Sequence, residues 1–193
     1  MNNPEDWQIL EINTLFKNPH LEVLQERVMI PGEVRHHDWT VVRRKQAVVI
    51  APLTSEGKFV LIHQARIPVR KILWEFPAGQ IDGSRTPEMA MIRETAFREL
   101  TEETGYSLVE GGELLYLGHY YSSQGFCDET PHLFLARTVQ PTGSGNQPEE
   151  SESIVECREF SLEDLRSMIA DSVIQDANTL ALFARLSAKR LIP

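Results

Sequence analysis

The stretch Arg98-Glu99-Leu100-Thr101-Glu102-Glu103-Thr104-Gly105-Tyr106 constrains the fold of this chain more than any other part of the sequence. On a helix, Glu99 lies three residues before Glu102 and four before Glu103, so the three carboxylates occupy neighbouring positions on one face. Like charges placed in this way repel, and the pattern therefore favours a cation beside that face. Carboxylate oxygens are the ligands that hard divalent ions such as Mg²⁺ prefer. Arg98 can pair with Glu102 one turn later, which would leave Glu99 and Glu103 available to a metal ion.

A solvated acidic helix face is the alternative interpretation, because acid-rich helices are common on protein surfaces. The order of the flanking residues favours the metal site instead. A glycine loop, Pro77-Ala78-Gly79, precedes the helix, and Gly105 is typical of the left-handed residue that ends one. The sequence therefore predicts metal-binding carboxylates on a helix that follows a glycine loop.

Residues 98–106 match the order arginine, glutamate, apolar, any, glutamate, glutamate, any, glycine, apolar. This order resembles the second half of the Nudix box of hydrolases that act on nucleoside-diphosphate-linked compounds. The first half departs from the family pattern, because eighteen residues separate Gly79 from Arg98, five more than that pattern has. Glu88 and Glu94 are the nearby acids that could replace its first glutamate. We expect a longer loop or an extra helical turn at the front of the helix.

The segments Gln64-Ala65-Arg66 and Trp74-Glu75-Phe76-Pro77-Ala78-Gly79 resemble the ADP-ribose pyrophosphatase branch of that family. The resemblance implies that Arg66 grips substrate phosphates, for which its planar fork is suited; the alternative is an ordinary surface arginine. It also implies that the backbone carbonyl of Ala78 is a metal ligand, which is chemically adequate for Mg²⁺. Glu75 is either a substrate contact across a dimer or a structural acid that nearby amides satisfy.

An acidic loop, Glu149-Glu150-Ser151-Glu152-Ser153-Ile154, precedes a predicted strand. Taken alone it is typical of a solubilising tip. It resembles the loop of ADP-ribose hydrolases that carries the general base and, two residues later, a metal-binding glutamate. On that match Glu150 is the base and Glu152 a metal ligand, with Glu149 as the other candidate base. Loops in this position can carry a carboxylate over a bound substrate.

A second loop, residues 121–129, resembles the substrate loop of the same branch. A proline usually stands at the position of Gln124, so the backbone here loses a fixed angle and gains a flexible amide. Gln124 is a candidate substrate contact, and Glu129 either contacts substrate or caps the loop.

The roles that the resemblance implies form three sets. Catalytic residues are Glu150, Glu102 and Arg98. Substrate contacts are Arg66, Glu75, Gln124 and Glu129. Metal ligands are Ala78, Glu99, Glu103 and Glu152.

The resemblance covers roughly residues 40 to 185 and implies hydrolysis of the diphosphate of a nucleoside diphosphate sugar. The cofactor would be Mg²⁺, or alternatively Mn²⁺, and the first-choice reaction converts ADP-ribose to AMP and ribose 5-phosphate. The alternatives are another nucleotide sugar such as a GDP-hexose, a dinucleotide, or a sensor that binds such a ligand without hydrolysing it. Relatives in this branch are dimers, so the resemblance also implies a homodimer.

Composition limits the kinds of binding partner and the cellular compartment that we expect for this protein. A net charge of −9 and a pI near 5.2 argue against nucleic acid or an anionic membrane as the main partner. Two cysteines are too few for a disulfide framework and favour a reducing compartment, although one bridge would be possible. No basic segment followed by an apolar run opens the chain, and no stretch approaches a membrane span, so we expect a cytoplasmic protein.

The predicted fold class is α+β: a Nudix-type α/β/α sandwich with a mixed sheet, plus N-terminal antiparallel strands. Residues 1–38 form a strand extension and candidate dimerisation element, and residues 39–193 form the hydrolase domain. Strands are predicted at 7–12, 21–30, 39–53, 58–64, 72–76, 114–121, 132–139 and 154–160. Helices are predicted from Thr86-Pro87 through the acidic stretch, from Ser161, and from about Asp176 to Ala188.

Overall fold

The computed structural model describes residues 7–83, 85–143, 145–146 and 153–192. The chain divides into a first unit, Met1–Lys45 with Tyr121–Thr130, and a second unit, Gln46–Tyr120 with Pro131–Pro193. The elements are β1 Gln8–Lys17, β2 Leu21–Met29, β3 His36–Arg44, β4 Ala47–Thr54, β5 Phe59–Arg66, β6 Lys71–Glu75, β7 Ala78–Gln80, α1 Met89–Thr104, β8 Tyr106–His119, β9 Pro131–Pro141, β10 Ile154–Phe160, α2 Leu162–Ala170 and α3 Ala177–Ala188.

The first unit contains a three-stranded antiparallel sheet in the order β1-β2-β3. The side chain of Asn18 accepts hydrogen bonds from the N–H groups of His20 and Leu21, which forms the tight turn between β1 and β2. The predicted N-terminal antiparallel strands are therefore confirmed. β1 is an edge strand, and every one of its residues is exposed.

The second unit contains a seven-stranded sheet in the order β10-β5-β4-β9-β8, with β6 beside β5 and β7 beside β4. β4 and β9 run parallel and the other pairs are antiparallel, so the sheet is mixed, as predicted. Successive residues of β4 point to opposite faces. Val48 and Ile50 pack with α1, and Val49 and Ala51 pack with α2 and α3. This is the predicted three-layer sandwich.

The helix ends follow the capping signals of the sequence. α1 ends at Gly105, whose φ of 72° is left-handed, and the N–H of Gly105 bonds to the carbonyl of Thr101. α2 begins with a capping box between Ser161 and Asp164. α3 begins at Asp176, whose side chain accepts from the N–H of Thr179. Among the described residues, no helix is long and apolar enough to cross a membrane.

Several boundaries differ from the prediction: β1 extends to Lys17, β7 was not predicted, and three further differences affect β3 and β4, β8 and α1. The continuous strand at 39–53 is two strands in different sheets, since β3 ends at Arg44 and β4 begins at Ala47. β8 begins directly after α1, earlier than predicted. Its pairing with β9 is irregular between Leu108 and Glu113, and this irregularity interrupts the alternation of apolar and polar residues by which a strand is predicted. α1 begins at Met89, two residues after Pro87, and nine of its residues precede Arg98.

Candidate active site

The C-terminal half of α1 presents its acids to the sheet. Glu99 is 2% exposed and Glu103 is 0% exposed, although both are carboxylates. They lie one turn apart on the side of the helix that carries the apolar Ala96 and Leu100. Glu102 is the outer member, with 34% of its side chain exposed. Burying two acids side by side is costly unless polar or cationic groups compensate them, so the surroundings of each are informative.

Glu103 is held by the glycine loop. Its Oε2 atom accepts a hydrogen bond from the backbone N–H of Ala78 at 2.7 Å. Ala78 begins β7, which pairs with β4, so the last acid of α1 is fixed to the central sheet.

Glu99 lies directly against Gly79. A Cβ atom at position 79 would stand 1.9 Å from Oε1 of Glu99, which is far inside van der Waals contact. Only glycine therefore allows the carboxylate to occupy this place. The glycine loop and the acidic helix of the sequence motif thus form one packed arrangement.

Arg98 contacts two of the acids. Its Nη1 atom bonds to Oε2 of Glu102 at 2.6 Å, as predicted from the spacing. Its Nη2 atom also bonds to Oε1 of Glu99 at 2.6 Å. The pairing with Glu102 therefore does not leave Glu99 without a contact from Arg98, because Glu99 is the next residue on the helix and lies within reach of the second guanidinium nitrogen.

Arg66, at the end of β5, forms a forked ion pair with Glu75 of β6. Arg66 Nε lies 3.0 and 3.1 Å from the two carboxylate oxygens, and Nη2 lies 2.5 Å from Oε2. Burial lowers the pKa of Arg66, but the hydrogen bonds and charge of Glu75, with the charges of Glu103 and Asp176, more than compensate, so the pKa is raised. Arg66 is thus a permanent cation beside the acidic end of α1.

The donor set suits a hard divalent ion. Two buried carboxylates, Glu99 and Glu103, converge on the Ala78-Gly79 backbone, and all of these ligands are oxygens. Within the described ranges, no group of three or more His, Cys, Asp or Glu side chains is placed to hold a metal ion. The predicted Glu150 and Glu152, and the alternative base Glu149, lie outside the described residues.

Ser153 is the first described residue after that acidic segment. Its carbonyl accepts a hydrogen bond from the N–H of Ala65 at 2.9 Å. Ser153 is therefore bonded to the residue next to Arg66.

Gln124 and Glu129 belong to the first unit. Gln124 is exposed. Glu129 accepts from the hydroxyl of Ser122 at 2.8 Å and lies 3.1 Å from Nη1 of Arg44, so its carboxylate caps this loop. A substrate contact by either residue stays a prediction.

Thr179 and Asp176 are neighbours of the site that the sequence analysis did not identify. The hydroxyl of Thr179 accepts a hydrogen bond from the N–H of Phe76, the residue after Glu75, at 2.8 Å. Burial, and then the charge of Glu75, raise the pKa of Asp176 to about 6, although its hydrogen bond from Thr179 opposes the shift. The sequence placed Asp176 only near the start of the last helix, since nothing local links it to Glu75.

Both cysteines are free thiols. Cys157, on β10, donates to the carbonyl of Thr104 at the end of α1. Burial, and then the charge of Glu103, raise the pKa of this thiol to about 12. Cys157 is therefore a protonated packing residue at neutral pH.

The sequence matches one protein family and is similar to several known proteins. The NUDIX domain family model matches residues 43–183. The chain is 31% identical over 179 residues to the ADP-ribose pyrophosphatase of Bacillus subtilis (strain 168), covering 92% of this chain and 91% of that protein. It is 34% identical over 140 residues to the methanol dehydrogenase activator of Bacillus methanolicus, covering 72% and 71% of the two chains.

A solved structure, the crystal structure of an ADP compounds hydrolase, matches with a TM-score of 0.75 at 17% identity. The match covers 97% of this chain and 96% of that one, and at this identity it supports the fold alone.

Proposed function

The chain belongs to the NUDIX domain family and is an ADP-ribose pyrophosphatase-like Nudix hydrolase, and from this premise we propose that its substrate is ADP-ribose. The products would be AMP and ribose 5-phosphate, and the cofactor Mg²⁺, with Mn²⁺ as a substitute. The observation that carries the proposal is the pair of buried carboxylates, Glu99 and Glu103, packed on the Ala78-Gly79 backbone. Such an oxygen-rich site beside the partly exposed Arg66 suits a metal-bound diphosphate.

The Ala78 carbonyl, Glu99 and Glu103, with Glu152, would hold the divalent ions, which when bound neutralise the diphosphate and lower the pKa of a water ligand. Glu150 would accept the proton of the attacking water. Arg98 would keep Glu99 and Glu102 oriented, since it bonds to both. The hydrogen bond between Ser153 and Ala65 supports a catalytic role for the acidic residues, because Ser153 follows Glu152 in sequence and Ala65 precedes Arg66.

Arg66 would align the phosphates. Its hydrogen bonds to Glu75 use Nε and Nη2. Within the part of the chain that the structure describes, Nη1 makes no bond to Glu75 and is the arm with which Arg66 can donate to a phosphate oxygen. Glu75 would then fix the guanidinium so that little conformational freedom is lost on binding.

The same experiment tests two other kinds of function, namely hydrolysis of a different nucleotide substrate and binding without hydrolysis. Gln124 replaces the usual proline of the substrate loop, which favours another nucleotide sugar, such as a GDP-hexose, or a dinucleotide. The extra residues between the glycine loop and Arg98 favour a sensor that binds its ligand without hydrolysing it. The relative named methanol dehydrogenase activator is 34% identical over 72% of this chain, and the one named ADP-ribose pyrophosphatase is 31% identical over 92% of it.

We also propose that the protein is a cytoplasmic homodimer. The support for a dimer is β1, an edge strand with several exposed large apolar side chains. Edge strands and exposed apolar patches of this kind favour association with another chain. Residues 1–38 would then be the dimerisation element, and residues 39–193 the hydrolase domain.

The deciding experiment incubates the protein with ADP-ribose, a GDP-hexose and a dinucleotide, each with Mg²⁺, with Mn²⁺ and with a chelator. Release of AMP from ADP-ribose, faster than turnover of the other substrates and abolished by the chelator, would support the proposal. Faster release of another nucleoside monophosphate would replace the substrate. Tight binding of ADP-ribose with no product would identify a sensor.

A further inference from the structure

A chain of hydrogen bonds connects the start of α3 to Arg66. Asp176 Oδ2 accepts from the N–H of Thr179 at 2.8 Å. The Thr179 hydroxyl then accepts from the N–H of Phe76 at 2.8 Å. Phe76 follows Glu75, whose carboxylate holds the Arg66 fork. Three successive polar contacts therefore join a helix on one face of the sheet to the cation of the candidate site.

The residues that form this connection around Phe76 are buried, so a water molecule cannot take the place of the Thr179 hydroxyl as acceptor. Thr179 and Phe76 are 0% exposed, and Glu75 is 2% exposed. The backbone of Phe76 lies where β6 has ended and β7 has not yet begun, so the Thr179 hydroxyl takes the place of a strand partner. Removing that acceptor would leave a buried N–H unsatisfied and would let the Glu75 backbone shift.

Asp176 holds the backbone of Thr179, because its Oδ2 atom accepts from the Thr179 N–H. Among the described residues, its Oδ1 atom is buried and has no hydrogen-bond partner, while its Oδ2 atom caps the helix. A carboxyl group is rarely buried in this way without a function that depends on its place. Here it fixes the first turn of α3, and with it the side chain of Thr179.

We infer that Thr179, held by Asp176, is a positioning residue for the Arg66–Glu75 pair, and thereby for the substrate diphosphate. The inference deepens the proposed function and rests on it for the identity of the substrate. Glu75 and Arg66 stand on neighbouring strands, and their pairing geometry depends on where β6 ends. Thr179 sets that end, although it lies far along the chain from Glu75 and Arg66.

The test compares Thr179→Val, which removes the hydroxyl at nearly constant volume, with Thr179→Ser, which keeps it. The first readout is the exchange of the Arg66 Nε–H proton with water, followed by NMR on protein labelled with ¹⁵N-arginine. The second is steady-state kinetics with ADP-ribose and Mg²⁺. We expect Thr179→Val to accelerate the exchange about tenfold and to lower kcat/KM about tenfold, mainly through KM. Thr179→Ser should restore both.

Thr54→Val is the matched control, because the Thr54 hydroxyl also accepts a backbone N–H, that of Lys58 at 3.2 Å. Thr54 is the last residue of β4, beside the start of β5, whereas Arg66 is the last residue of β5. If Thr179→Val changed the Arg66 exchange rate no more than Thr54→Val does, the inference would be overturned. Should Thr179→Val fail to fold, Asp176→Ala tests the same chain of contacts from its other end, with the same expected direction.

The two proposals fail in different ways. A wild-type protein that releases no product from ADP-ribose would refute the proposed function. The NMR readout needs no turnover, so it would still decide whether Thr179 positions Arg66.

Discussion

Oε2 of Glu103 accepts a hydrogen bond from the backbone N–H of Ala78 at 2.7 Å, which joins the last acid of α1 to the first residue of β7. The bond uses a main-chain donor, so the position of this carboxylate does not depend on the side chain at residue 78. It also brings the acid next to the carbonyl that the family resemblance assigns to metal. The helix and the glycine loop therefore form one site.

Glu103→Gln tests whether the charge at this position is needed for catalysis. The amide oxygen of glutamine can still accept from Ala78, so the fold should survive with a melting temperature close to that of the wild type. Loss of one anionic metal ligand should lower kcat/KM at least about a hundredfold and weaken the response to Mg²⁺. Glu110→Gln, an exposed acid on β8, is the control and should behave as wild type. Equal activity in both variants would remove Glu103 from the site.

Gly79→Ala should displace Glu99, because the new methyl group would stand 1.9 Å from its Oε1 atom. We expect a loss of activity as large as that of Glu103→Gln, together with a lower melting temperature. Circular dichroism and the ADP-ribose assay would measure the two effects.

Gly111→Ala separates the steric effect at Gly79 from general strain. Gly111 has a φ of 79°, but a Cβ there would meet no atom within 4 Å. This variant should lose about 1 kcal/mol of stability and keep full activity. An active Gly79→Ala protein would show that the close contact with Glu99 is not required.

Much of the fold could be predicted because its signals are local. Asp176 and Ser161 begin helices in the structure, as their capping chemistry predicts, and Gly105 ends one with a left-handed angle. The resemblance also implied that Ala78, Glu99 and Glu103 share one site. It did not imply the contact between Gly79 and Glu99, since the spacing from the glycine loop to Arg98 departs from the family pattern.

The remaining features depend on contacts between distant segments. The break between β3 and β4 at Lys45-Gln46 has no glycine or proline, and each strand instead finds its partners in a different sheet. The bond from Phe76 to Thr179 joins residues 103 positions apart. No periodicity or motif in one sequence encodes such a pairing, because it arises only when α3 packs on the sheet.

Asp176→Asn should change how stability depends on pH. The pKa of Asp176 is about 6 in the folded protein and 3.8 for an ordinary aspartate, so the folded state binds the proton more tightly. This contribution is complete below about pH 4 and is lost as the pH rises through 6, at a cost of up to about 3 kcal/mol. Asparagine caps a helix equally well. The stability of the variant relative to wild type should therefore increase between pH 4.5 and 7, as urea unfolding at about four pH values in that range would show.

Asp164→Asn is the control for that measurement. Asp164 caps α2, and its hydrogen bonds with Ser161 lower its pKa, so its contribution is lost only as the pH falls below the ordinary range of aspartate. The difference between Asp164→Asn and wild type should stay constant from about pH 4.5 to 7. A constant difference for Asp176→Asn as well would mean that this carboxyl is hydrated in solution.

Leu15→Lys should convert the proposed dimer into a monomer. Leu15 lies on the edge strand β1 with 59% of its surface exposed, and Trp7, Ile9 and Phe16 are exposed on the same strand or beside it. A second copy that covered these side chains would bury apolar surface, and a lysine there would oppose the association. Light scattering after size exclusion would measure the mass. Asn13→Lys adds the same charge at a polar position of β1 and should remain dimeric. A wild type that is monomeric at assay concentrations would remove the role proposed for residues 1–38.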